Sequence, residues 1–173
     1  ETDILYSNEG LLGQIIVADY PLYEGTKKVD GSQRILFVNR STQTVVTNQK
    51  DKKTFFNYVH LIEKRLQDSS FQRALILGLG GGSVANTLLA KGFEVNAVEL
   101  DRRMADVAKK YFDLSEKVNV VVDDARHFLR SELTFKKYDV IVLDAFVGEV
   151  NPHHLFTEEF FMEIKSLLSD EGI

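Results

Sequence analysis

Residues 73–100, RALILGLGGGSVANTLLAKGFEVNAVEL, constrain the fold more than any other stretch of the chain. The apolar run over 74–77 reads as a strand buried on both faces. A glycine cluster follows at once: Gly78, Gly80, Gly81 and Gly82. A short helical pattern over 83–91 stops at Gly92, and a second strand over 94–100 carries Glu99 near its end, with Asp101 just after. Strand, glycine turn, helix, strand and acid is the sequence form of a nucleoside-binding α/β crossover. Gly78 and Gly80 permit a tight turn with positive φ and a close approach of backbone to a ligand. A helix beginning near Gly82 aims its free N–H groups at the same space. Glu99 stands about 20 residues beyond the turn, where a carboxylate accepts both ribose hydroxyls.

The rest of the chain is organised around that unit. Residues 1–50 have β character: a short apolar piece over 4–6, a strand over 11–20 with Gly13 as a bulge, a polar loop over 21–32, and a hairpin of 34–39 and 43–48 turning at 40–42. Residues 51–173 read as a second, nucleoside-binding domain. A helix over 52–67 is predicted from Phe55, Phe56, Val59, Ile62 and Leu66 at helical spacing, with His60 a packed or boundary residue beside the stripe. Residues 68–70 link it to the central strand. Asp101 caps a helix over 101–112 whose apolar face is Met104, Val107, Ala108 and Tyr111. A third strand over 118–122 runs into Asp123-Asp124-Ala125 and a short helix with Phe128 and Leu129 inward. A fourth, over 138–143, is nearly all apolar and therefore predicted to be buried on both faces; it ends on Asp144. A loop over 145–154 with Gly148 and Pro152 leads to a helix over 158–169 capped by Thr157. Strands alternating with helices demand a parallel sheet.

Three acids then stand at strand ends, Glu99, Asp124 and Asp144, and in an open parallel sheet those ends share one crevice with the glycine turn. Glu99 fits ribose, Asp124 an adenine amino group, and Asp144 faces the reacting end, where it can hold an amine or take its proton. A nicotinamide dehydrogenase gives Asp124 no such role, and the turn reads G-x-G-x-x-S, with Ser83 at the third glycine's place. Asp139 reads as a strand-entry or surface acid. His153 and His154 read as loop residues in solvent, with substrate contact second. Arg102, Arg103, Lys109 and Lys110 read as a solvated helix face, and Tyr20 and Tyr23 as a substrate entrance or a loop anchor.

Composition narrows the partners. A net charge of −5 without a dense Lys/Arg face argues against nucleic acid. With no cysteine there is no disulfide or thiolate metal site, and no metal is expected. No apolar run is long enough for a membrane span, and no signal peptide is visible, so no direct membrane contact and a cytoplasmic location are expected. Glu1 at the start, and Ile173 directly after Asp170-Glu171-Gly172, suggest a piece of a longer protein in which Ile173 opens a further strand. An exposed edge there predicts a homo-oligomer.

Taken together, LILGLGGGS, NAVELD, VVVDDARHFL and YDVIVLDAF…HLFTEEFF, with LLGQIIVAD…RILFVN…QTVVTN before them, resemble the spermidine synthase (polyamine aminopropyltransferase) family. The resemblance implies an α/β, Rossmann-like class I methyltransferase fold, incomplete at the C-terminus and preceded by a small β-domain. It implies S-adenosylmethionine or its decarboxylated form as donor, a small-molecule amine as acceptor, and no metal. It also implies a nucleoside held by Gly78, Gly80, Gly81, Gly82, Glu99, Asp124 and Ala125. Asp144 becomes the proton acceptor, and Gln43 takes the place of the family's characteristic substrate-side glutamine. The sequence departs from the family pattern at Gly81 and Val147, where it usually has aspartates, and at Lys50-Asp51 and Thr54-Phe55-Phe56. It is therefore more similar to the divergent spermidine-synthase-like branch, some of which is fused to membrane transporters. The resemblance implies an alkyl transferase, methyl or aminopropyl; the rival reading is a non-catalytic adenosyl-binding module of a larger protein.

Overall fold

The computed structural model describes residues 2–48, 53–66, 70–131, 137–145 and 152–173. Expectations that fall on Glu1, Lys50, Asp51, Lys52, Gln67, Asp68, Ser69, Val147 and Gly148 lie outside the described residues.

Among the described residues, two four-stranded sheets make the frame. The first is an antiparallel meander of β1 (Asp3–Gly10), β2 (Gly13–Glu24), β3 (Lys27–Val38) and β4 (Ser41–Thr47). The second is parallel, in the order β7-β6-β5-β8, built from β5 (Arg73–Leu77), β6 (Glu94–Glu99), β7 (Asn119–Val122) and β8 (Val140–Leu143). Helices α1 (Asn57–Arg65), α2 (Ser83–Ala90), α3 (Arg102–Tyr111), α4 (Ala125–Ser131) and α5 (Glu158–Leu167) flank the parallel sheet. Among the described residues no helix is long and apolar enough to cross a membrane.

The two-faced burial predicted for the central strand is present. Ala74 and Ile76 pack into one cluster with Val59, Val84, Leu88 and Ala108, while Leu75 and Leu77 pack into another with Phe128, Leu129, Leu155 and Phe160. The face predicted for α3 is split in two: Ala105 and Ala108 pack toward the parallel sheet, and Met104 and Val107 pack with Ile15, Val17, Leu36 and Val38 of the antiparallel one. One helix thus serves as common core for both sheets. Asp101 caps it as expected, its side chain accepting from the Arg103 N–H at 2.9 Å. Thr157 likewise caps α5, accepting from the Phe160 N–H.

Several expectations are corrected. The 21–32 loop is instead the outer half of the β2–β3 hairpin, turning only at Gly25 and Thr26; a register shift after Pro21↔Ser32 to Leu22↔Val29 absorbs the extra residues that made it look irregular. Gly13 is no bulge but the first residue of β2, opposite Gly10 across the Leu11, Leu12 turn; the irregularity in this pair lies between Ile4 and Tyr6. The β3–β4 turn is at Asn39 and Arg40, both with positive φ (49° and 68°), as a two-residue hairpin turn needs. Helix α1 begins at Asn57 because the segment before it is captured by β4: Val46 bridges Thr54, and the Phe55 N–H donates to Val45 O at 2.9 Å. Strand β8 is only partly buried after Val140, because its outer side carries no full strand among the described residues. There Ile173 donates to Asp139 O and accepts from the Ile141 N–H, each at 2.9 Å, as a residue of a neighbouring strand would. Asp139 is the strand-entry acid expected: it accepts from the Gln72 and Arg73 N–H groups and the Ser169 hydroxyl, and although its burial pushes upward, these bonds hold its carboxyl below the usual range.

Candidate active site

The strand order reverses at β5, and ligand crevices in open parallel sheets lie at the carboxyl ends beside such a reversal. A cavity of about 160 Å³ opens there. Its wall includes Gly78, Leu79, Gly80 and Ser83 of the glycine turn, Glu99 and Asp101 after β6, Asp123, Asp124 and Ala125 after β7, and Asp144 and Ala145 after β8. The antiparallel sheet contributes Leu12, Val38, Gln43 and Thr44, and the entry to α1 contributes Phe56 and Tyr58.

The glycine turn takes the conformation its composition predicts, with φ of 105° at Gly78, 52° at Gly80 and 82° at Gly82. Gly78 is required twice over, because any Cβ there would meet the backbone carbonyl of Asp144. Of the four glycines named from sequence, the structure brings Gly78 and Gly80 to the cavity; Gly81 and Gly82 stand behind its lining, against Thr44 and Leu114. The Gly81 N–H donates to Thr44 Oγ1 at 2.9 Å, and a Cβ on Gly81 would meet Thr44 Cγ2 at 2.7 Å.

The three acids differ in their surroundings. Glu99 accepts the Leu79 N–H at 3.0 Å on Oε2 and the Asp101 N–H at 2.8 Å on Oε1; burial nevertheless pushes its carboxyl above the usual range. Asp124 Oδ1 accepts the His127 N–H at 2.9 Å, and Oδ2 lies 3.2 Å from His154 Nε2. Burial pushes Asp124 up, but these bonds outweigh it and hold the carboxyl below its ordinary value. Asp144 Oδ2 accepts the Tyr58 hydroxyl at 3.0 Å. Burial raises the Asp144 carboxyl, the Tyr58 bond offsets part of that, and the Tyr58 hydroxyl is itself pushed well above its ordinary value by burial and by the charge beside it. Asp144 is thus an acid desolvated enough to hold a proton more tightly than a surface aspartate.

A scan against family profiles matches residues 59–173 to the spermine/spermidine synthase domain. The chain belongs to the spermine/spermidine synthase family. Relatives include a polyamine aminopropyltransferase of Vibrio vulnificus, 42% identical over a match covering 72% of this chain and 44% of that protein. An N-terminal histidine N-methyltransferase of Emericella nidulans is 39% identical over 58% of this chain and 18% of its own length. In fold the chain is similar to a spermidine synthase solved in complex with the transition state analogue AdoDATO, at a TM-score of 0.74, 21% identity, and coverage of 98% of this chain and 56% of that one. The chain therefore spans about half the length, or less, of the relatives it matches.

The geometry adds residues at the cavity that sequence patterns do not single out. Tyr58 is the chief one: it stands beside the Phe55, Phe56 and Val59 stripe, and its hydroxyl reaches Asp144. Its signal was a tyrosine in the first turn of a helix that precedes the glycine strand. His154, for which solvent exposure in a loop is the first expectation and substrate contact the second, is exposed and lines the cavity beside Asp124. Arg103 departs from the solvated face expected of it: its guanidinium holds Asp101 bidentately and reaches the antiparallel sheet. Gln43 and Ala125 also line the cavity. Tyr20 packs edge-on against Phe37 and Tyr23 is exposed, and neither lines the cavity. His60 is exposed and bonds Thr54 O. Among the described residues no cluster of metal-ligating side chains occurs.

Proposed function

We propose that the cavity binds an adenosyl sulfonium donor and that the protein transfers an alkyl group, aminopropyl or methyl, from it to an amine. Glu99 holds the ribose hydroxyls, Asp124 and Ala125 flank the adenine, and the Gly78–Gly80 turn, 78–80, lies along the sulfonium side. The acceptor nitrogen lies against Asp144. Its lone pair attacks the carbon bound to the sulfonium, the C–S bond breaks with its electron pair going to sulfur, and the thioether leaves. Asp144 takes the proton the nitrogen loses. Tyr58 fixes the Asp144 carboxylate so that one oxygen faces the acceptor, and Gln43 stands on the acceptor side. Most of the rate gain in such a reaction comes from alignment of nitrogen, carbon and sulfur.

The observation that supports this reading most directly is the convergence of three differently tuned acids on one cavity: Glu99 bound to backbone donors, Asp124 held ionised, and Asp144 desolvated beside Tyr58. The relatives named as aminopropyltransferase and as N-methyltransferase supply the two candidate groups. Gly81 bears on that choice, because the Thr44 side chain fills the space that an aspartate at this position would need. The full-length protein is a homo-oligomer in this reading, acting on a small-molecule amine.

The test is calorimetric titration with S-adenosylmethionine, decarboxylated S-adenosylmethionine, methylthioadenosine and NAD, repeated on Glu99→Ala. Binding of an adenosyl ligand that weakens by roughly a hundredfold in Glu99→Ala is expected, since hydrogen bonds to a charged partner are lost. The tighter of the two sulfonium forms names the group transferred. Preference for NAD, or an unchanged affinity in the variant, would overturn the reading.

A further inference from the structure

Arg103 makes more contacts than its role as a helix surface residue requires. Its Nε and Nη2 grip both oxygens of Asp101, at 3.1 Å to Oδ1 and 2.7 Å to Oδ2. The same guanidinium then crosses to the antiparallel sheet: Nη1 donates to Asn8 Oδ1 at 2.8 Å and Nη2 to Gly13 O at 3.1 Å. It lies so close under the end of β1 that a Cβ on Gly10 would meet Nη1 at 2.7 Å. The residues it reaches, Asn8, Gly10 and Gly13, bracket the Leu11, Leu12 turn. On the far side, that turn is held by Asn39, whose Oδ1 accepts the Gln14 N–H at 2.9 Å.

The two ends of this bridge both belong to the cavity. Leu12 lines it from the turn, and Asp101, Leu100 and Met104 line it from the loop and helix after β6. Asp101 also donates its own N–H to Glu99 Oε1 at 2.8 Å. One guanidinium therefore fixes the spacing between the turn that walls the cavity and the loop that aims Glu99. A planar fork with five donors satisfies three acceptor groups in one plane, which a lysine ammonium cannot do.

We infer that Arg103 is a positioning residue for the donor: by clamping the β1–β2 turn to Asp101, it holds Leu12 and Glu99 at the separation the adenosyl group requires. This rests on the adenosyl-donor reading above. Arg103 touches no reacting atom, so it acts on donor binding and not on the transfer step.

The experiment uses the full-length protein and S-adenosylmethionine or its decarboxylated form, whichever the unmodified protein prefers. Arg103→Ala is expected to raise the donor Kd and donor KM about tenfold, with kcat at saturating donor and the acceptor KM unchanged. Arg103→Lys recovers only part of the affinity. Asn8→Ala, which removes one arm and leaves the Asp101 cap, gives a smaller loss of the same kind. Tyr111→Phe is the control: its hydroxyl also joins α3 to the antiparallel sheet, donating to Leu5 O at 3.3 Å, but away from the turn. It should leave donor Kd unchanged. An Arg103→Ala protein with unaltered donor Kd, or a Tyr111→Phe protein with the same loss, overturns the inference. If Arg103→Ala does not fold, the Kd of Arg103→Lys decides, and an unaltered value there overturns it. An unmodified protein that binds no adenosyl ligand removes the donor reading and this inference with it.

Discussion

The two sheets divide the work unequally. The parallel sheet supplies every acid of the cavity from the ends of its strands, and its central strand is covered on both faces by helices. The antiparallel sheet supplies wall: Leu12 from the β1–β2 turn, and Val38, Gln43 and Thr44 from β3 and β4, whose burial alternates between neighbours. The parallel sheet is specified by burial, so its strand ends are fixed to the residue, and acids placed there arrive at a defined point. The antiparallel sheet is specified by register and turns, and it reaches the site through the β1–β2 turn, the end of β3, and β4, whose Thr44 touches the glycine loop. Substitutions at the strand ends of the first should therefore strike the site directly, donor binding at Glu99 and turnover at Asp144, while substitutions in the second should act through the shape of the wall, on affinity or stability.

Asp144→Asn gives the largest effect and tests the first half of that contrast. Loss of a positioned proton acceptor is expected to cut kcat by on the order of a thousandfold, while donor Kd stays near that of the unmodified protein. A parallel drop in affinity would mean that the strand end holds substrate and does no proton transfer. The pH dependence sharpens the point within a single strand. Asp144, at the carboxyl end of β8, has its carboxyl raised by burial, whereas Asp139, at the entry to it, is held low by its hydrogen bonds despite burial. Turnover should thus fall as pH drops through a value above the usual aspartate range, roughly tenfold per unit. Stability carries opposite signs at the two ends. The Asp139 contribution is present above its unfolded-state value and is lost as pH falls through its lower folded value. The Asp144 contribution is present at low pH and is lost as pH rises through its raised folded value. Acid denaturation of Asp139→Asn and Asp144→Asn, measured side by side, checks both signs.

Gly81→Ala tests the seam between the sheets. The new Cβ would meet Thr44 Cγ2 at 2.7 Å and Oγ1 at 2.9 Å, so the glycine loop and β4 must separate. The expected cost is about 1–3 kcal/mol of stability by chemical denaturation. Adding Thr44→Ser, which removes the nearer methyl and keeps the hydroxyl that accepts the Gly81 N–H, should recover part of it. Full additivity of the two substitutions would mean that the sheets are not in contact here, against the geometry.

This asymmetry also governs what was legible in the sequence. A doubly buried strand leaves an unbroken apolar run, so β5 is legible to within a residue; β6 and β7, which are less buried, are legible as closely from their valines and from the acids that follow them. The glycine turn was legible because positive φ narrows the choice of residue. The outer hairpin was not, because residues 22–29 are stabilised by cross-strand backbone bonds, which leave no hydrophobic signature. Tyr58 and Arg103 were missed for another reason. Each acts through a contact distant in sequence, 86 positions to Asp144 and 90 to Gly13, and no local pattern announces such a pairing. The split face of α3 escaped on similar grounds: periodicity shows that Met104, Val107 and Ala108 are apolar, but not that two different sheets cover them.

The hairpin tip offers the smallest expected effect and the strictest check on the claim that the antiparallel sheet is specified by register. Beyond the shift after Pro21, Tyr23 pairs Lys28 and Glu24 pairs Lys27, with no buried residue in either strand segment. A Lys28→Ala substitution removes a side chain and leaves the backbone ladder intact, so the thermal midpoint should move by no more than about 0.5 kcal/mol of stability allows, and donor affinity not at all. Lys28→Pro keeps the exposure and removes the backbone N–H, so it should open the tip while the inner half, paired from Ile15↔Val38 to Pro21↔Ser32, persists. Hydrogen exchange read residue by residue separates the outcomes. Loss of protection confined to 22–29 fits a tip held by register alone. Loss reaching Val17 and Leu36, which are fully buried against α3, would mean that the tip nucleates the sheet and that the wall of the cavity depends on it.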